Sequence, residues 1–229
     1  MRHIRIVLAG SCLAAATLLT ACGSSTGGSA SSARVQVFNV LALSQAADFQ
    51  VNGLPLSQAT GLIKGQVSTG YSTQPALATN SFSAMDAGTS TVLASASFAV
   101  GTGPYSLFLA GVPGSTTHPP ALFILQDNGQ APSSSSFSVR VINASPDAGP
   151  ASFSLSTNKA TWTNVGYESQ GIYETLSPGT YTQSAVSAST AAVIAVGTSY
   201  PFQGGHIYSI VLYGSVANST QAIMIHQDV

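Results

Sequence analysis

The chain repeats itself, and that limits what it can fold into more than any other feature. Val35-Gln36-Val37-Phe38-Asn39-Val40 returns as Val139-Arg140-Val141-Ile142-Asn143-Ala144, an offset of 104 residues. Gly70-Tyr71 aligns with Gly166-Tyr167 at 96, Tyr105-Ser106 with Tyr208-Ser209 at 103, and Gln126-Asp127 with Gln227-Asp228 at 101. Four matches in one order, at nearly constant offset, imply two homologous units of about 95 residues each rather than one continuous domain. Inside each unit the apolar residues recur every second position in short runs. Phe137, Val139 and Val141 share one face of a strand, and Ser138 and Arg140 the other. Turn signals such as Ser145-Pro146-Asp147-Ala148 and Ser177-Pro178-Gly179-Thr180 separate the runs. Outside the N-terminal segment no stretch has helical periodicity.

About seven short strands per unit, spaced roughly 8–12 residues apart, predict an all-β chain of two tandem immunoglobulin-like antiparallel β-sandwich domains. The Cys and Trp hallmarks of true immunoglobulin domains are missing, so only the architecture is expected. The boundaries read as a lipoprotein signal helix over 1–21, a flexible Gly/Ser tether over 22–33, a first repeat over 34–128, a linker over 129–136 and a second repeat over 137–229.

The N-terminal segment carries its own signal. Arg2 and Arg5 precede an apolar run from Ile6 to Leu19, too short to span a membrane and the right length for an export signal. The run ends at Leu19-Thr20-Ala21-Cys22, which resembles the bacterial lipobox. The resemblance implies that Leu19 fills the peptidase pocket, Ala21 precedes the cut with Thr20 between them, and the Cys22 thiol takes a diacylglycerol. A thiolate is the natural nucleophile for that thioether. Two or three acyl chains anchor a protein durably, since each buried CH₂ contributes about 0.8 kcal/mol. Gly23, where an Asp would otherwise stand, resembles the outer-membrane sorting signal of Gram-negative lipoproteins. The membrane is therefore an expected partner through Cys22, and the cell envelope the expected location.

Only 6% of residues are charged, against about 25% in ordinary soluble proteins, while 45% are hydrophobic. The surface must be built from Ser, Thr, Asn, Gln and backbone. A net charge of −1 offers nothing to a phosphate backbone, so nucleic acid is excluded as a partner. Cys12 and Cys22 both lie in the N-terminal segment, leaving the body without a disulfide.

A family resemblance rests on Val139-Arg140-Val141-Ile142-Asn143-Ala144-Ser145-Pro146-Asp147-Ala148, Phe153-Ser154-Leu155, Val165-Gly166-Tyr167, Leu176-Ser177-Pro178-Gly179-Thr180-Tyr181 and Tyr208-Ser209-Ile210-Val211. These resemble a bacterial extracytoplasmic β-domain, domain-of-unknown-function family 4397, whose members often occur in tandem. The resemblance covers residues 137–215 well and 34–111 weakly, because Leu41-Ala42-Leu43-Ser44 stands where the Ser-Pro-Asp turn should be. The family implies a β-fold and no activity.

Catalytic and metal chemistry find little support. Asp147 follows Ser145-Pro146 and reads as a turn residue, since calcium would need six to eight oxygen ligands. His118, His206 and His226 lack zinc-ligand spacing. Gly-x-Ser-x-Gly does not occur. Glu168 and Glu174 flank a prospective hairpin and read as solvated strand residues. Asp127 and Asp228 take matching places, pointing to a shared structural role such as edge protection or turn formation. Arg34, Lys64, Arg140 and Lys159 are too dispersed for a polyanion site. Tyr167, Tyr173, Tyr181, Tyr200, Tyr208 and Tyr213 divide between core and solvent, with core favoured.

The expectation is therefore a lipid-anchored envelope protein with a structural or binding role, no enzyme, no metal and no cofactor, and with an envelope protein or a glycan as its partner. The alternatives are an envelope hydrolase acting on glycans and a periplasmic partner that lends a sheet edge.

Overall fold

A computed structural model describes residues 32–156 and 159–228. Leu19, Thr20, Ala21, Cys22 and the signal helix expected over 1–21 lie outside the described residues. Every regular element described is a strand. The first unit holds β1 (Ser32–Asn39), β2 (Ala47–Val51), β3 (Leu54–Pro55), β4 (Gln66–Val67), β5 (Ser72–Pro75), β6 (Leu77–Asp86), β7 (Val92–Val100), β8 (Gly103–Ala110) and β9 (Ala121–Gln126). The second holds β10 (Phe137–Asn143), β11 (Ala151–Leu155), β12 (Ala160–Val165), β13 (Ser169–Gln170), β14 (Glu174–Leu176), β15 (Gly179–Tyr181), β16 (Gln183–Ser187), β17 (Val193–Val196), β18 (Tyr200–Phe202), β19 (Ile207–Tyr213) and β20 (Ala222–Gln227). Ser32 and Ala33, read from sequence as tether, already pair with Pro75 and Gln74.

In each unit two sheets pack over a core. The first unit stacks β4-β1-β8-β9, with β5 also on β1, over β3-β2-β6-β7. The second stacks β13-β10-β19-β20, with β14 also on β10, over β12-β11-β16-β17, and adds a ribbon of β15 and β18. The pairing is mostly antiparallel. The exceptions are equivalent: β1 runs parallel to β8, and β10 parallel to β19. Val35 faces Tyr105 and Val139 faces Tyr208, so the Tyr-Ser matches seen in sequence occupy one place in both units.

The register corrects one alignment. Val35 pairs with Ser72, and Val139 with Glu174. Tyr71 and Tyr173, each just ahead of those partners, are therefore the equivalent tyrosines, and Tyr167 is not the counterpart of Tyr71.

The shared Asn of the opening motif has a structural task. Asn39 Nδ2 donates to the carbonyls of Gln45 (2.8 Å) and Leu62 (2.6 Å), and its Oδ1 accepts from the Leu41 amide. Asn143 repeats this with Gly149 (2.9 Å), Val165 (3.0 Å) and the Ser145 amide. One amide side chain thus satisfies the backbone where the chain crosses from one sheet to the other.

A further correction concerns burial. Period-two alternation predicts one dry and one wet face per strand, yet β10 is buried along its whole length. The inward face, Phe137, Val139 and Val141, belongs to the second unit's own core. The outward face meets the first unit. Phe38, Val40, Phe108, Ala110 and Phe123 form a third core with Ile142, Ala144 and Val211, which fastens the two sandwiches face to face. Phe38 stacks on Phe108 at 4.5 Å between centroids, and Phe108 on Phe123 at 4.8 Å. Removing each large side chain from water contributes about 1.5–3 kcal/mol, so the contact is far more than a tether allows.

Candidate functional site

Three outward positions recur in both units: Gln36 and Arg140 on β1 and β10, Ser106 and Ser209 on β8 and β19, Asp127 and Asp228 just beyond β9 and β20. Face-to-face packing brings all six to one end of the shared core, where Arg140 is fully buried and Asp127 and Asp228 are each 7% exposed. Sequence reasoning placed these aspartates at edges or turns and Arg140 on a wet face. The structure puts all three inside the interface.

Arg140 is the hub. Its Nε donates to Ser209 Oγ (2.8 Å), and Nη1 to Gln170 Oε1 (2.6 Å) and the Gln126 carbonyl (3.3 Å). Nη2 donates to Ser106 Oγ (3.2 Å) and forms an ion pair with Asp127. Both oxygens of Asp127 have partners: Ser106 Oγ lies 2.9 and 3.0 Å from the two, and the Tyr71 hydroxyl donates to Oδ2 at 3.0 Å. Asp228 differs. Ser209 Oγ donates to its Oδ2 at 2.9 Å, while Oδ1 is buried without a partner. The Tyr173 hydroxyl, counterpart of the one serving Asp127, is buried and has no side-chain partner, with the Gly129 backbone beside it. Gln36, standing where the second unit has Arg140, meets His226 Nε2 at 3.0 Å.

Electrostatics follow from one guanidinium serving two buried carboxyls. Burial, reinforced by the Asp127 charge and opposed by Arg140, pushes the Asp228 carboxyl up to about 7. Burial disfavours the Arg140 cation, but Asp127 and Asp228 more than offset it and raise its pKa. Tyr71 is raised by burial and then by the Asp127 charge; burial also raises Tyr173. Burial lowers His226 to about 4. Asp228 is the member of the group whose charge changes near neutral pH.

Beside this network lies a cavity of about 170 Å³ that Tyr71, Tyr173, Asp127 and Asp228 line together with Pro104 and Ile207. Gly129 and Ala131 of the inter-unit linker complete one wall. Arg34 reaches the mouth, its guanidinium 5.1 Å from the Tyr71 ring centroid, and Arg140 sits 5.4 Å from that of Tyr173.

This double architecture has a family behind it. The model of the domain of unknown function DUF4397 matches residues 33–154 and 138–229. The chain belongs to that family. The first DUF4397 match runs past the linker into β11, and the second starts again one residue into β10. No protein of curated function matches the sequence. Among solved structures, the Bacillus anthracis TIE protein is 11% identical with a TM-score of 0.24; the match covers 81% of this chain and 34% of that one. A family 26 carbohydrate-binding module from Eubacterium rectale Amy13K, solved in complex with maltoheptaose, is 9% identical with a TM-score of 0.25, covering 86% of this chain and 97% of that one. Likenesses this distant carry no argument about function.

The remaining sequence candidates sit elsewhere on the DUF4397 units. Asp147 accepts hydrogen bonds from Ser215 Oγ (2.6 Å) and the amides of Val216 (2.8 Å) and Ala217 (3.0 Å), tying the turn after β10 to the β19–β20 loop. Burial opposes its ionisation, yet these bonds hold it below the ordinary carboxylate value. Glu168 occupies a turn at φ 60° and Glu174 pairs with Val139. Among the described residues no group of three or more His, Cys, Asp or Glu is placed to hold a metal. Of the tyrosines, Tyr208 is fully buried; Tyr181 and Tyr200 pack against the second unit's core, and Tyr167 and Tyr213 against the shared one. Sequence reading missed the Arg140 cluster, but a signal existed. The outer-face positions Phe38, Phe108, Ile142 and Val211 are as apolar as the inner ones, which marks strands buried on both sides.

Proposed function

We propose that the chain is a lipid-anchored binding module of the cell envelope, held at the membrane through Cys22, with the inter-unit cavity as its ligand site. The observation that carries the binding role is Asp228, whose buried Oδ1 has no hydrogen-bond partner, among the residues that line a cavity of about 170 Å³. Buried polar groups are ordinarily paired, and each unpaired one costs about 1–3 kcal/mol, so this end of the interface is suited to a partner that pairs them. Anchoring rests on Leu19-Thr20-Ala21-Cys22 after the basic and apolar segments, and outer-membrane sorting in a Gram-negative host on Gly23. Hydrolysis is disfavoured by the state of Asp127, whose oxygens already accept from Arg140, Ser106 and Tyr71, as suits a structural carboxylate more than an attacking one.

Two measurements test this. Cys22→Ser should move the protein from the membrane to the soluble fraction; unchanged fractionation removes the anchor. Protein released gently from envelopes should carry a low-mass adduct in native mass spectrometry that Ala131→Trp, which closes the cavity wall, eliminates. An adduct retained by that variant, or none in either protein, defeats the site.

A further inference from the structure

We propose that the inter-unit cavity takes a small primary amine, its ammonium group held by Asp228 and the Tyr173 hydroxyl and its short apolar body by Pro104, Ala131 and Ile207. This names the ligand class of the site proposed above and rests on that reading.

The two units are unequal where they should be alike. Asp127 accepts hydrogen bonds from Ser106, Tyr71 and Arg140, whereas Asp228 accepts one only, from Ser209, and keeps a buried oxygen without a donor. An N–H donor matches that oxygen; a quaternary ammonium, lacking one, does not. A metal ion would want several more oxygens than Asp228 and Tyr173 supply, on a wall that Pro104, Ala131 and Ile207 make largely apolar. An anion would find Arg34 at the mouth but would meet the Asp228 carboxyl, whose free oxygen lacks a donor and cannot supply one as a carboxylate. A space of 170 Å³ corresponds to about six waters of liquid volume, enough for a compact amine and not for an oligosaccharide.

The charged and titratable groups around Asp228 come from every packed element: Arg140 on β10, Asp127 beyond β9, Tyr173 before β14, Tyr71 before β5, His226 on β20 and Arg34 on β1. Asp127 is neutralised by Arg140, leaving Asp228 to face the incoming ammonium. The neutral carboxyl must release its proton as the ammonium enters, so acid competes with the ligand.

The test is an NMR and calorimetric titration of the full chain in detergent with n-butylammonium at pH 8, using n-butanol and n-butyrate as shape-matched controls. Butylammonium should bind at about millimolar concentration, a level set by its few heavy atoms, and shift the Ile207 methyl and Tyr173 ring signals. Butanol and butyrate should bind at least tenfold more weakly. Affinity should drop about tenfold for each pH unit below 7, Asp228→Asn should reduce it at least tenfold, and Tyr173→Phe severalfold. Butanol binding as well as butylammonium, or full affinity in Asp228→Asn, overturns the amine and leaves a binding cavity standing. Failure of every probe to perturb Ile207 or Tyr173 overturns the cavity as a site as well. Should Asp228→Asn not fold, the pH profile and Tyr173→Phe decide: affinity untouched by both overturns the amine.

Discussion

At the scale of single residues, Arg140 and the groups around it dominate. Arg140→Met strands a buried carboxylate at Asp127 and should cost about 3–5 kcal/mol in urea unfolding, whereas combining it with Asp127→Asn should restore most of that loss. The pH dependence is more telling because two groups oppose each other. Asp228 keeps its proton to about 7 when folded, against 3.8 as a free side chain, so in that window the folded chain binds the extra proton and stability falls as pH rises. His226 loses its proton near 4 when folded, against 6.5, so the unfolded chain binds the extra proton and stability rises with pH. Each contribution runs at about 1.4 kcal/mol per pH unit, and between about 4 and 6.5 the two cancel. Asp228→Asn should therefore expose a stability that climbs from pH 4 to 6.5, and His226→Gln one that declines from pH 4 to 7. Urea midpoints taken at half-unit steps check this; parallel trends in the two variants would refute it.

At the scale of elements, the hairpins closing each unit are set by glycines. Gly111 follows β8 at φ 109° and Gly214 follows β19 at φ 92°. A Cβ at Gly214 would collide with the Thr220 carbonyl, and one at Gly111 with that of Pro119. Gly214→Ala should cost more than about 1 kcal/mol in thermal unfolding, since both the backbone angle and the space exclude a side chain. Asp147→Ala removes three hydrogen bonds from the neighbouring loop and should cost about 1–3 kcal/mol, with the Val216 and Ala217 amides exchanging faster. Strand alternation and the Pro, Gly and Asp turns were legible in the sequence because both are local. The Tyr71 to Tyr173 equivalence was not, since residues between β4 and β5 and between β13 and β14 carry no repeated pattern and only pairing with β1 and β10 aligns them.

At the scale of the whole molecule, the third core joins the two sandwiches, and they should unfold as one unit. Trp162, the sole tryptophan, lies in the second unit, so its fluorescence reports that half alone. Phe38→Ala, made in the first unit, should destabilise by about 3–5 kcal/mol and shift the Trp162 unfolding midpoint together with the far-ultraviolet circular dichroism. A Trp162 midpoint that stays put while the dichroism moves would mean the sandwiches unfold separately.

What the sequence by itself determined is the double unit, the all-β character and the turns, because each is written in spacing along the chain. What only the tertiary structure decided is which outer faces meet. A period of two tells which residues lie together on a strand and nothing about what covers them. Covering depends on the other unit, which turned Arg140, Asp127 and Asp228 from dispersed surface charges into one buried cluster beside a cavity.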